Sequence, residues 1–432
     1  MSSSMRIKDR DAVIDALRAG VVPRTGQHLI QVGRKREVEA LLRDLERIHD
    51  GGSSFRIIIG EYGAGKTFFL NLIRSIALEK RLVTMQADLN PDRRLHASGG
   101  QARSLYQELT RNLATRTKPE GNALQGVIEK FIAQARTDAK SAGTSAEGLI
   151  RTRLLPLTEM VNGYDFAEVI AAYCRGYDTG DTTVQSQALR WLRGEFSTRT
   201  DARAALNVRT IVDDATVHDQ IKLLGRFVRL AGFAGLLVCL DELVNLYKLA
   251  NTQARNGNYE QILRILNDAL QGYAEGVGFI LGGTPEFLLD SRRGLYSYEA
   301  LQSRLTENRF ARNGLIDLSG PIIRLTSLTP EELFVLLGKL RHVYASGHPE
   351  RYLLPDEGLL AFLEHCARRL GDAYFRTPRS TIRAFIDLLA TLEQNPGVAW
   401  HSLLDTVEVA RDQGGESDQP GEDADELVSF RL

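Results

Sequence analysis

The stretch FRIIIGEYGAGKTFFLNLIRSIALEK, beginning at Phe55, constrains this chain more than any other. Phe55 to Ile59 is a short, mostly apolar run of the kind buried on both faces of a parallel sheet. Gly60 to Thr67 reads GEYGAGKT, and the residues that follow repeat with helical period. Strand, glycine loop and helix in that order make a phosphate-binding P-loop. Glycines at positions 60, 63 and 65 let backbone N–H groups approach phosphate oxygens that side chains would block. Lys66 then reaches the β and γ phosphates, and the Thr67 hydroxyl binds Mg²⁺. The nucleotide-binding set expected here is Gly60, Glu61, Tyr62, Gly63, Ala64, Gly65, Lys66, Thr67 and Phe68, with ATP and Mg²⁺ as cofactors.

The rest of the chain predicts an α/β fold, a P-loop NTPase parallel-sheet core with a helical insertion and a C-terminal helical lid. Leu82–Ala87 reads as the second strand, stopped by Asp88 and the Asn90-Pro91 turn. Leu236–Leu240, Gly278–Gly282 and Ile322–Leu325 read as the later strands. Between about 104 and 230 the segments SLYQELTRNLATRT, NALQGVIEKFIAQAR and QSQALRWLRGEF are amphipathic and predict an inserted helical subdomain. Within that insert only Asn207–Val212 suggests a strand. Ahead of the core, Arg6–Ala19 has helical spacing, and Val38, Leu41, Leu42, Leu45 and Ile48 form one apolar stripe. Beyond it, Thr329-Pro330-Glu331-Glu332 starts a helix well, with Thr as cap, Pro in the first position and acids in the first turn. Four parts follow: an N-terminal helical segment (1–50), the ATPase core (51–325, insertion about 104–230), a lid (326–410) and an acidic, flexible tail (411–432).

Chemistry gathers at the strand ends. LLVCLDE presents Asp241 to the metal's water shell and Glu242 to the attacking water as a general base. Asp241 can equally cap a helix, and the two roles are compatible. Thr284, in GGTPEF, stands where a polar side chain can orient that water, although Thr before Pro is also an ordinary turn. Arg304, Arg309 and Arg312 cluster in LQSRLTENRFAR, and Arg304 is the preferred residue to reach the γ phosphate of a neighbouring subunit. Arg379, in RTPRSTIRAF, begins a lid helix from which it can lean over the nucleotide or pair on the surface.

Composition narrows the field less. Net charge is −1, so no global basic excess advertises nucleic acid, though a local Arg patch is not excluded. Cys174, Cys239 and Cys366 lie far apart with no CxxC pair, the pattern of a reduced cytoplasmic protein without structural zinc. No window approaches the ~20 apolar residues of a membrane-spanning helix.

Together GEYGAGKT, LLVCLDE, GGTPEF and TPRSTI resemble, in order, the P-loop, acidic strand, first sensor and second sensor of AAA+ ATPases, within the branch of origin-recognition and loader proteins. VGRKREVEALLRDL resembles the segment of that class that packs near the adenine, which adds Val32, Gly33 and Arg34 to the cofactor-binding set and implies a second-sensor role for Arg379. VVPRTGQHLIQVGR, FRIIIGEYGAGKTFFL and GLLVCLDELVNL resemble, more narrowly, the BrxD family of ATP-binding proteins from bacterial BREX phage-defence systems. That resemblance implies action on double-stranded DNA or with an Lhr-like helicase partner; the paired acids Asp241 and Glu242 favour hydrolysis of ATP, and Arg304 reaching a neighbouring subunit predicts nucleotide-dependent homo-oligomers. The competing reading is a non-hydrolysing, ATP-bound scaffold whose helical insert is a protein-binding surface. A small-molecule kinase is a weaker third, because no acceptor-binding signature is visible.

Overall fold

Five parallel strands form one sheet among the described residues: β1 (Ser54–Gly60), β2 (Val83–Asp88), β3 (Leu236–Asp241), β4 (Val277–Gly283) and β5 (Ile322–Leu325). The computed structural model describes residues 7–311 and 315–404. Strand order is β2-β3-β4-β1-β5, so β4 lies between the P-loop strand and the acidic strand. Each of the five core strands read from the sequence is present, with ends that move by a residue at most.

Alternation along the strands divides the core in two. Phe55, Ile57 and Ile59 face one way, with Val83, Met85, Val238, Leu240, Phe279 and Leu281, into a layer shared with Tyr106, Phe131, Phe166, Trp191 and Phe227. Ile58, Leu237, Cys239 and Ile280 face the other way, against Leu41, Leu45 and Ile48 of one helix and Phe69, Leu70 and Ile73 of another. Full burial of each large apolar side chain stabilises the fold by roughly 1.5–3 kcal/mol before chain entropy is set against it. Arg56 breaks the apolar run of β1 at little cost, because its Nε and Nη2 donate to the buried Asp44 carboxylate at 2.6 and 3.1 Å. That pair ties the helix Lys35–His49 to β1.

Seven helices, from Gln101–Arg111 to Val217–Leu230, lie between β2 and β3. They do not stand apart as a subdomain: with the sheet they make one compact unit, residues 33–61 and 65–326. The segment Asn207–Val212 is not a strand. Asn207, at φ +58°, ends the helix Arg199–Leu206. The backbone N–H groups of Arg209 and Thr210 and the Thr210 hydroxyl then donate to Asp165 Oδ2 at 2.9, 2.7 and 2.7 Å. Thr210 O accepts from Trp191 Nε1 at 2.8 Å. Side chains thus take the hydrogen bonds that a neighbouring strand would otherwise supply.

A second unit comprises residues 1–32, 62–64 and 327–432, of which the described part is mainly helical. In it Ile7–Arg18 packs against Pro330–Tyr344 and Arg379–Gln394. Thr329 and Glu332 form the capping box expected of TPEE, Thr329 Oγ1 accepting from Glu332 N at 3.2 Å and Glu332 Oε2 from Thr329 N at 3.0 Å. The acidic tail expected over 411–432 lies outside the described residues.

Candidate active site

The P-loop follows β1 directly and ends at Gly65, whose φ of +76° only glycine adopts freely. Gly65 offers no side chain to cap the helix Lys66–Glu79, so the first N–H groups of that helix suit an anion. Lys66 Nζ donates to the carbonyls of Gly60 and Glu61 at 2.8 and 3.0 Å, which holds the ammonium over the loop. Burial lowers the Lys66 pKa, against the opposing pull of Asp241, Glu242, Glu61 and Glu286. Phe69 is buried in the core layer behind the sheet, while Tyr62 is exposed.

Asp241 is the last residue of β3 and is buried. Its Oδ2 accepts from the Thr67 hydroxyl at 2.7 Å, and its Oδ1 from the backbone N–H of Glu242 at 2.9 Å. Thr67, in the helix that follows β1 and its loop, and Asp241, at the end of β3, converge across β4, which lies between β1 and β3 and has glycine at position 282. A Cβ on Gly282 would overlap Asp241 Oδ1. Sequence reasoning passed over Gly282 as one more strand residue, since strand order cannot be read from a run of apolar letters.

Glu242 has φ +60°, the left-handed region that costs a non-glycine residue roughly 1–2 kcal/mol. The turn is held on both sides: Glu242 N donates to Asp241, and Glu242 O accepts from Asn245 N at 3.0 Å and Asn245 Nδ2 at 3.2 Å. Glu242 is surface-exposed as a residue, yet its carboxyl is partly desolvated; that burial, and then the charges of Asp241 and Asp88, raises its pKa. Asp88 ends β2 in register with Asp241, and burial and Asp241 raise its pKa in turn. Asp88 is thus a third carboxylate of the site, where the sequence reading saw only the end of a strand.

Arg34 reaches the same loop. It stands at φ +59° before the helix Lys35–His49, its Nη2 donates to Thr326 O at 3.2 Å, and its guanidinium lies 6.0 Å from the Phe69 ring centroid. A Cβ on Gly65 would meet Arg34 Nη1 at 3.6 Å. Val32 is assigned to the other unit, and Gly33 leads into Arg34 at φ +66°. Thr284 follows β4, next to β1 and β3, and its Oγ1 accepts from Phe287 N at 3.4 Å as cap of the short helix Pro285–Leu289. That is the turn role weighed for it, and the hydroxyl proton is still free to serve a second partner. Arg304 is not brought to this loop by its hydrogen bonds, which go to Asn267 Oδ1 and Ala300 O, both at 2.9 Å. Arg309 is exposed, and Arg312 lies outside the described residues. Arg379 begins the helix Arg379–Gln394 of the other unit, with its guanidinium against the Gly20 backbone.

The donor set fits Mg²⁺: a hydroxyl and a carboxylate, both hard oxygens, meet at hydrogen-bond distance beside a phosphate-binding loop. Among the described residues no group of three or more His, Cys, Asp or Glu could hold a metal. A cation here would therefore complete its shell with water and phosphate oxygens, as Mg²⁺ prefers.

A family model for the BREX system ATP-binding proteins BrxC/D matches residues 5–408. The chain belongs to this family. BrxC/D membership agrees with the resemblance read from the sequence and marks the chain as an ATP-binding protein. The BrxC/D match takes in the helices between β2 and β3 and those after β5, so it rests on more than the P-loop. No curated protein matches the chain. No described helix is long and apolar enough to cross a membrane.

Proposed function

We propose that this BREX ATP-binding protein hydrolyses ATP and acts as a nucleotide-dependent switch or loader on double-stranded DNA or on a DNA-bound, Lhr-like helicase partner. The observation that carries the proposal is the Thr67–Asp241 hydrogen bond with Glu242 next in the chain, because it joins a phosphate loop, a metal-binding pair and a base. Thr67 and Asp241 would hold Mg²⁺, which when bound neutralises charge on the β and γ phosphates. Lys66 and the N–H groups of Gly63 to Thr67 bind the phosphates. Glu242 takes the proton from the attacking water, for which a raised carboxyl pKa suits a base working near neutral pH. Thr284 orients that water. Arg304 serves a neighbouring copy in an ATP-dependent homo-oligomer, where its planar charge stabilises the transition state.

Defence against phage is a natural setting for action on DNA. Binding energy from the γ phosphate would shift the protein between two states, as when a ligand favours one of two conformers. Steady-state ATP hydrolysis, with and without double-stranded DNA and with Glu242→Gln as blank, tests the reading. A glutamate-dependent rate that rises with DNA is expected. A rate that ignores DNA overturns the DNA part, and no rate above the blank with ATP still bound overturns hydrolysis.

A further inference from the structure

Glu242 occupies a backbone conformation that residues other than glycine avoid, and a base held that way needs something to hold it. Asn245 supplies the hold. Its carboxamide Nδ2 donates to two carbonyls at once, Leu89 O at 2.8 Å and Glu242 O at 3.2 Å, and its own backbone N–H donates to Glu242 O at 3.0 Å. Leu89 is the first residue after β2, and its N–H donates to Asp241 O at 3.0 Å. Leu243 N donates to Gly282 O at 3.0 Å on the other side. The peptide that carries Glu242 is thus pinned to the end of β2 through one side chain and to β4 through the backbone.

We infer that Asn245 is a positioning residue for Glu242: by bridging the Leu89 and Glu242 carbonyls it fixes the left-handed turn from which the Glu242 carboxylate meets its water. The inference rests on Glu242 acting as the base. Asn is suited to the task because its amide has two donor hydrogens, one for each carbonyl, at the end of a short side chain. Aspartate has the same shape but would set an oxygen against both carbonyls. Leucine keeps much of the volume and makes neither bond. The amide touches no atom assigned to phosphate or metal, so its loss should misplace the base without weakening nucleotide binding.

The test compares Asn245→Leu, Asn245→Asp and Glu242→Gln for kcat, KM and binding of a slowly hydrolysed ATP analogue, with thermal melting to confirm folding. Loss of alignment should forfeit part of the ~10²–10⁴-fold that a general base contributes. The expected result is a kcat lower by about tenfold or more in both Asn245 variants, with KM and analogue affinity within about twofold of wild type. Placed in the Glu242→Gln background, Asn245→Leu should lower the residual rate no further, because it acts only through Glu242. Should leucine disturb folding, Asn245→Asp carries the test alone. Wild-type kcat in a folded Asn245 variant, with Glu242→Gln inactive, overturns the positioning role alone. A further fall of the residual rate in the double variant also overturns it. Wild-type turnover by Glu242→Gln overturns the assignment of the base itself.

Discussion

The Thr67 hydroxyl donates to Asp241 Oδ2 at 2.7 Å, joining two residues that are 174 positions apart in the chain. If that pair is a metal site, its two members act as one unit. Thr67→Ala and Asp241→Ala should each weaken ATP binding about tenfold or more in Mg²⁺, and the double variant should lose little beyond the worse single. Titration calorimetry with Mg²⁺ and with chelator reads this directly. Lys66→Ala should lose ATP binding in both conditions, and equal losses for Thr67→Ala with and without Mg²⁺ would rule out the metal role.

Carboxylate crowding sets a pH dependence. Burial, Asp241 and Asp88 raise the pKa of Glu242, so its base form is lost as pH falls through a value above the ordinary glutamate range of about 4.3. Turnover should therefore fall on the acid side as Glu242 takes up its proton. Asp88→Asn removes a neighbouring negative charge, which favours ionised Glu242 and moves that acid limb to lower pH. A pH–kcat profile of the two proteins checks the sign.

Gly282 is the residue that lets Asp241 lie across β4. Gly282→Ala would set a Cβ onto Asp241 Oδ1 and 3.1 Å from Leu70 Cδ1. Overpacking of this kind typically costs about 1–3 kcal/mol. The midpoint of thermal unfolding should drop, and Mg²⁺-dependent ATP affinity should drop with it. Unchanged affinity in Mg²⁺ would show that the carboxylate can move without harm.

Arg304 is exposed and bonded to Asn267 and Ala300 of its own chain. A trans role predicts a larger mass by light scattering with a slowly hydrolysed ATP analogue than without it. Arg304→Ala should keep nucleotide binding but lose about tenfold or more in kcat, within the range seen for arginines that complete a phosphoryl-transfer site. One mass under both conditions would count against it.

Much of this was legible because it is local. β1, the glycine loop and its helix are consecutive, and Asp241 and Glu242 close an apolar run that could only be a buried strand. Gly282, Asp88 and Asn245 were not legible, since their significance depends on which strands are neighbours and on bonds between segments far apart. Asn207–Val212 misled because its composition suits an extended chain. Asn207 instead takes a left-handed turn, and Asp165, more than 40 residues earlier, accepts from the N–H groups of Arg209 and Thr210, so no strand forms there. Nothing in the letters around Arg304 or Arg379 says what faces them.

The alternation along β1 bears on how the chain can be cut. Phe55, Ile57 and Ile59 share one buried cluster with Tyr106, Phe131, Phe166, Trp191 and Phe227 of the helices between β2 and β3, and with Tyr259, Ile262, Leu266 and Phe287 of helices after β3. The helices between β2 and β3 are therefore a wall of the P-loop core and not a detachable module. A shortened protein that kept the P-loop and the acidic strand but joined β2 directly to β3 would carry every nucleotide-binding motif and still lay bare to water the Val83, Met85 and Val238 side chains that share a cluster with those helices.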